Sequence, residues 1–121
     1  MPATIDPREQ ITWQRQAIAV LDILLAQAVK TGLPRLHWDI GDAGVSIVGR
    51  SSVHPSTDRR AAIGAWATAL GLEVQEHEHQ SGMVTLIAHE KQRKVGKLWA
   101  TIALTADIYP EDDDQDQAVT G

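Results

Sequence analysis

The strongest constraint on the fold is a change in the spacing of the apolar residues along the chain. Between residues 7 and 31, Ile11, Ile18, Leu21 and Leu25 recur at helical intervals. From Leu36 onward the apolar residues fall at every second position, which is the period of a strand. Helical segments followed by strands predict an α+β domain, in which helices pack on a sheet.

The ends of two helices are marked by capping residues. Asp6 precedes Pro7 and Glu9, which predicts a helix start, and Gly32 with Pro34 predicts the end, so we expect a helix over 7–31. Its wide core-facing stripe is expected to contain Ile11, Ile18, Leu21, Leu25 and Ala28, with Ala17, Leu24 and Val29 beside them. Ser56 or Thr57 should cap a second helix, which presents Ala62, Ile63, Trp66, Ala67 and Leu70 to the core and ends at Gly71.

Turn residues predict five strands. A four-residue loop over 41–44 predicts a hairpin that pairs Ile40 with Val45 and Trp38 with Ile47. A loop over 80–82 predicts that Glu76 pairs with Leu86, and a loop over 92–94 predicts that Ala88 pairs with Leu98. The core face should then hold Leu72, Val74, Val84, Leu86, Ala88, Leu98, Ala100, Ile102, Leu104 and Ile108.

These elements predict the order α-ββ-α-βββ, with a single antiparallel sheet and the two helices packed on one face. The length of the last strand past Ala103 suggests that it also pairs with the first hairpin. The 121 residues suit one α+β domain over 1–110, followed by a disordered acidic tail over 111–121.

Composition excludes several classes of function. The chain has no cysteine, which rules out a disulfide framework, a thiolate metal site and a cysteine nucleophile. Five of its 16 acidic residues lie in the tail, so the remaining 11 balance the 11 Lys and Arg residues and leave a neutral body. Without a targeting or membrane-spanning segment, we expect a cytoplasmic protein with no membrane partner.

The face of the sheet opposite the core face is unusually apolar for a surface in water. The alternation of side chains puts Val48, Met83, Ile87, Trp99 and Tyr109 there, with Ile87 expected opposite Trp99. Contiguous exposed apolar surface marks partner sites. We therefore expect a non-enzymatic protein-interaction module, homodimeric through this face, or a face that binds another protein. In the alternative interpretation, the amino-terminal arm and the tail cover it.

Two groups of polar residues on this face have the residue types of metal sites or of catalytic sites. His77 and His79 share a face, but the third imidazole, His89, is expected on the order of 13 Å from His77, so no metal site is predicted. His37, Asp39 and Ser46 have the residue types of a nucleophilic triad, but no turn or oxyanion donors accompany them. We expect no enzymatic activity, no catalytic residues and no cofactor.

Two alternatives to a protein-interaction module stay open. Lys91, Arg93, Lys94 and Lys97 cluster near the last turn, so a small nucleic-acid-binding protein using this loop, 91–97, is the second interpretation. The third is an enzyme or ligand carrier, which would need a pocket beside Trp99 with His77 and Asp107 converging on it.

Three segments carry a resemblance: LHWDI over 36–40, AAIGAWATALG over 61–71 and ADIY over 106–109. In these segments the chain resembles small uncharacterised actinobacterial proteins, some of them associated with phages and mobile elements. The resemblance covers 33–109 loosely. It implies a lineage and no activity, and no functional residue is carried over from it.

Overall fold

The fold is described by a computed structural model that covers residues 6–41 and 44–110. The expected tail over 111–121 lies outside the described residues. The helices are α1 (Pro7–Thr31) and α2 (Thr57–Leu70), and the strands are β1 (His37–Ile40), β2 (Ser46–Arg50), β3 (Gln75–Glu78), β4 (Val84–Val95) and β5 (Leu98–Ile108). The α+β class is confirmed.

Helix α1 begins and ends where its caps predict. The Asp6 carboxylate accepts a 2.8 Å hydrogen bond from the backbone N–H of Arg8, and Gly32 ends the helix in the left-handed conformation, with φ of 73°. Helix α2 also ends at a left-handed glycine, Gly71. Its expected side-chain cap is wrong, since the Ser56 hydroxyl accepts a 2.9 Å hydrogen bond from the backbone N–H of Tyr109 instead.

The sheet is mixed rather than purely antiparallel, which corrects the expected architecture. Its strands lie in the order β1-β2-β5-β4-β3, and β5 pairs with β2 in parallel and with β4 antiparallel. The pairing of the last strand with the first hairpin is confirmed. The parallel pair arises because the chain returns through α2, β3 and β4 before β5 enters beside β2.

The expected register of the outer strands is partly right. Glu76 pairs with Leu86 and Glu78 with Val84, as the glycine-containing turn predicted. In the first hairpin Trp38 pairs with Gly49 and Ile40 with Ile47, so the predicted pairs were two residues out. An even displacement leaves each side chain on the expected face.

The register of the β4–β5 hairpin differs from the predicted register by six residues. Ala88 pairs with Leu104, not Leu98, because β4 continues to Val95 and turns at Gly96, whose φ is 62°. A bulge between Glu90 and Arg93 interrupts the ladder, with Gln92 at a φ of 57°. The charged run over 90–94 was therefore mistaken for a turn, although it forms the end of a strand.

One hydrophobic core joins both helices to one face of the sheet. The even-numbered residues of β5, from Ala100 to Ile108, are buried, as are Leu86 and Ala88 of β4. Helix α1 contributes Ala17, Val20, Leu24 and Ala28 to this core. The expected core stripe of α1 is half right: Ala17, Leu24 and Ala28 are buried and Leu21 packs against the core, whereas Ile11, Ile18, Leu25 and Val29 are exposed.

Two tryptophans pack at the junction of β1, β2 and α2. The rings of Trp38 and Trp66 meet edge to face with centroids 5.2 Å apart, and the Trp66 indole N–H donates a 2.7 Å hydrogen bond to the Pro34 carbonyl. Gly49 lies directly under Trp38. A β-carbon there would stand 2.8 Å from the Trp38 ring, so this strand position requires glycine.

Within the part of the chain that the structure describes, no helix is long and apolar enough to cross a membrane.

Replacing Gly49 with Ala should lower the free energy of unfolding by about 1–3 kcal/mol, because the added methyl group overpacks the Trp38 contact. Urea denaturation monitored by tryptophan fluorescence measures this. Gly64→Ala is the matched control: nothing lies within 4 Å of a β-carbon in α2 at that position, and the change should raise stability by up to ~1 kcal/mol. Equal stability of the two variants would contradict the packing described.

Candidate functional site

The sheet surface that faces away from the core is the candidate site and is called here the open sheet face. The strand register places on it the odd-numbered residues of β5 and their neighbours: His37, Asp39, Ser46, Val48, Arg50, Gln75, His77, Thr85, Ile87, His89, Lys94, Trp99, Thr101, Ala103, Thr105 and Asp107. Met83 and Tyr109 flank it at the ends of β4 and β5.

The expected partner-binding residues differ in how much they expose. Trp99 is 53% exposed, Ile87 40% and Tyr109 39%, whereas Val48 and Met83 are half-buried. The predicted choice of face is correct, since Trp99 is open to solvent and Leu86 is buried beneath the helices' side of the sheet. That these residues bind a partner stays a prediction.

The predicted contact between Ile87 and Trp99 is wrong. Ile87 pairs with Thr105 and Trp99 pairs with Lys94, because the β4–β5 register is displaced by six residues. At about 3.4 Å per residue, the two side chains stand roughly 20 Å apart along the sheet. The exposed apolar groups therefore lie at two ends of the open sheet face, separated by threonines and Ala103.

A hydrogen-bonded chain of polar side chains occupies the end near Tyr109. The Thr85 hydroxyl donates to the Asp107 carboxylate at 2.8 Å, and a ring nitrogen of His79, Nε2, lies 2.8 Å from the same hydroxyl. His77 packs edge to face on His79. Since the Thr85 proton is committed to Asp107, the geometry favours Nε2–H of His79 as the donor to Thr85.

These hydrogen-bonded side chains lie far from Trp99, which disfavours the expected pocket in which His77 and Asp107 would converge beside Trp99. His77 and Asp107 are both on the rung of Thr85, whereas Trp99 lies eight residues from Asp107 along β5. Among the described residues, no group of three or more His, Asp or Glu side chains is placed to hold a metal ion.

The suspected Asp, His and Ser group of the first hairpin is not assembled as expected. Asp39 pairs with Val48, not Ser46, and Ser46 pairs with Thr101 of β5. His37 pairs with Arg50, at the far end of β2 from Ser46. The residues are spread along the strands and do not form a nucleophilic triad.

Arg59 fastens the end of β5 to α2. It is 6% exposed, and its guanidinium donates to the carbonyl of Val53 at 2.9 Å and to that of Asp107 at 2.7 Å. The guanidinium also lies 5.7 Å from the centre of the Tyr109 ring, a cation–π distance. Arg59 is therefore a structural residue that holds Asp107 and Tyr109 at this end of the open sheet face.

One of the four residues of the basic cluster in the β4–β5 hairpin is hydrogen-bonded within the domain. Arg93 donates to the carbonyl of Leu70 at 2.6 Å and to the Glu90 carboxylate at 2.7 Å, so it ties the hairpin to α2. Lys91, Lys94 and Lys97 are exposed. These three lysines are called here the lysine tip; Lys94 lies opposite Trp99 in the register, and Lys97 lies two residues before Trp99 in the chain.

Two features escaped the sequence analysis. The first is an exposed apolar stripe on α1, treated below; the seven-residue spacing of Ile11, Ile18 and Leu25 was its signal. The second is a cavity of about 710 Å³, lined by Arg35, His37, His54 and Asp58 among others, where the loop over 51–54 meets α2. That loop has no apolar period, so no sequence signal could reveal the cavity.

No family model, curated protein or solved structure matches the chain.

Proposed function

We propose that the chain is a non-enzymatic protein-interaction module that binds a second copy of itself through the open sheet face. The observation that carries this proposal is Trp99, an indole 53% exposed on the side of β5 away from the core. Tryptophan is enriched among the residues that contribute most to binding at protein interfaces. Sheets that pack face to face keep their strands nearly aligned, which a dimer of this kind satisfies.

The separation of the apolar groups favours an antiparallel arrangement of the two copies. The two-fold axis lies between the two sheets, parallel to both, and runs over the middle of β5 at right angles to the strands. It places the Trp99 end of one copy over the Ile87 and Tyr109 end of the other. The middle of the face, Thr101, Ala103 and Thr105, has small side chains that permit close approach. One self-complementary contact thus covers both apolar ends of each copy.

Charge supports the same arrangement. The lysine tip stands at the Trp99 end of the face, and Asp107 stands at the other end. Pro110 lies beside Gly82 of the β3–β4 turn, so the chain leaves the sheet at the Asp107 end, and five acidic residues follow within 111–116. Antiparallel stacking sets each basic end against the acidic end of the partner copy.

Trp99→Lys should remove one self-association step, because it puts a charge into an apolar end of the face that the partner copy covers. The molar mass in solution, measured by light scattering after size-exclusion chromatography, should halve. Ala69→Lys is the control, since Ala69 is exposed on α2, which packs against the opposite face of the sheet. A Trp99→Lys variant with the mass of the wild type would overturn the proposal.

The dimer should also respond to salt. Because basic and acidic ends face each other, raising NaCl from about 0.05 to 0.5 M shortens the screening length severalfold and should weaken association on the order of tenfold. A chain that ends at Pro110 should associate more weakly and lose most of this dependence. Equilibrium sedimentation of both chains measures it, and tighter association of the shortened chain would contradict the antiparallel arrangement.

A second candidate function is favoured by one observation, the position of Trp99 among Lys91, Lys94 and Lys97. An exposed indole with flanking cations suits single-stranded nucleic acid, because bases stack on the ring and phosphates bind the lysines. In this function, fluorescence anisotropy of a labelled oligothymidine rises with added protein and falls with salt, and Lys94→Glu abolishes binding. No change in anisotropy at low salt eliminates the candidate.

A further inference from the structure

Helix α1 carries an apolar stripe that nothing in the described part of the chain covers. Ile11, Ile18 and Leu25 follow one another at seven-residue intervals, and Val29 continues the line one turn later. They are 56%, 57%, 40% and 85% exposed, respectively. These four residues are called the outer stripe.

The outer stripe and the core-facing residues lie on different sides of α1. At 100° per residue, the mean direction of Ala17, Val20, Leu24 and Ala28 differs from that of the outer stripe by roughly 120°. One helix on one sheet cannot bury both sets of side chains. The outer stripe is therefore a second apolar face, which points to the side of the domain.

The amino-terminal turns of α1 have little support from their own domain. The first buried residue of the helix is Ala17, and every residue over 7–16 is exposed or half-buried. Isolated helical turns are marginal in water without an apolar face to pack. Ile11 supplies such a face, but no described residue covers it.

The spacing of the outer stripe identifies the secondary structure of its partner. Apolar residues every seven positions keep to one side of a helix and supply one of the two positions per heptad that form the seam of two supercoiled helices. We propose that a second copy of the chain docks here, its α1 antiparallel to the first. This inference is independent of the open sheet face and goes beyond the function proposed above.

The charged residues beside the outer stripe favour the α1 of a second copy, in the antiparallel direction, as the partner helix. Arg15 and Asp22 are exposed and flank Ile18 on one side of the stripe, seven residues apart. In an antiparallel pair centred between residues 18 and 19, Arg15 of each helix faces Asp22 of the other. The two-fold symmetry makes two ion pairs, whereas a parallel pair in register puts the Arg15 and Asp22 residues of the two copies on opposite sides of the seam, where they form none.

The same arrangement accounts for an apolar groove at the carboxyl end of α1. Leu25, Val29, Leu33, Pro34 and Trp66 line a cavity of about 340 Å³ there, together with Ala28, Arg35 and Leu36. In the antiparallel pair, the unsupported amino-terminal turns of the partner's α1 extend toward this groove. Each copy thus covers the outer stripe of the other and stabilises its overhanging turns.

Charge reversal tests the arrangement directly. Arg15→Asp and Asp22→Arg should each weaken this association on the order of tenfold, because each replaces two attractions with two repulsions. The double variant restores the pairs with exchanged signs and should regain most of the affinity. Sedimentation equilibrium measures the constants; two losses that simply add in the double variant would overturn the antiparallel pair.

Variants of the stripe separate this inference from the proposed function. Ile18→Lys should abolish association through α1, whereas Ala19→Lys, exposed but off the stripe, should not. With both surfaces active and their two-fold axes crossing at right angles, the wild type is a closed tetramer, Ile18→Lys and Trp99→Lys are dimers, and the combined variant is a monomer. An unchanged mass in Ile18→Lys, with circular dichroism confirming the fold, would refute the α1 contact; an unchanged mass in Trp99→Lys would refute only the sheet contact.

Discussion

The structure depends on β5, which pairs with β4 over nearly its whole length and with β2 from Thr101 to Thr105. Because both edges of β5 are hydrogen-bonded, its side chains have only two directions, and their alternation divides the molecule. Ala100, Ile102 and Leu104 face the helices and form the core, whereas Trp99, Thr101 and Ala103 face away. The helices, the Trp38 and Trp66 contact and the buried Arg59 all reinforce this division.

The two faces of the sheet could be predicted from the sequence because a strand keeps its alternation wherever its turn lies. The β4–β5 register was wrong by six residues and the β1–β2 register by two, yet both displacements are even. The error changed only the expected positions along the face: Trp99 lies opposite Lys94 and not opposite Ile87. Charged residues over 90–94 give no apolar signal in a strand, so the bulge and the true turn at Gly96 stayed hidden.

The long-range contacts of single polar side chains could not be foreseen. Arg93 was assigned to an exposed basic loop and Arg59 was given no role, but each donates to a backbone carbonyl distant in the chain. The chain of His79, Thr85 and Asp107 depends equally on the folded register. Helix α1 shows the converse error: its apolar residues span too wide an arc for one contact, so a stripe assigned to the core includes a face that points outward.

In the proposed dimer, two copies of the chain stack their open sheet faces with their strands in opposite directions. Pulsed electron resonance between nitroxides on single cysteines tests it most directly, since the chain has no cysteine of its own. A label at position 101, close to the proposed axis at Ala103, should give a short intermolecular distance, and one at position 97 a distance near 41 Å, from about twelve residues at ~3.4 Å each. No intermolecular coupling at position 101, or equally short distances at both positions, would contradict the claim.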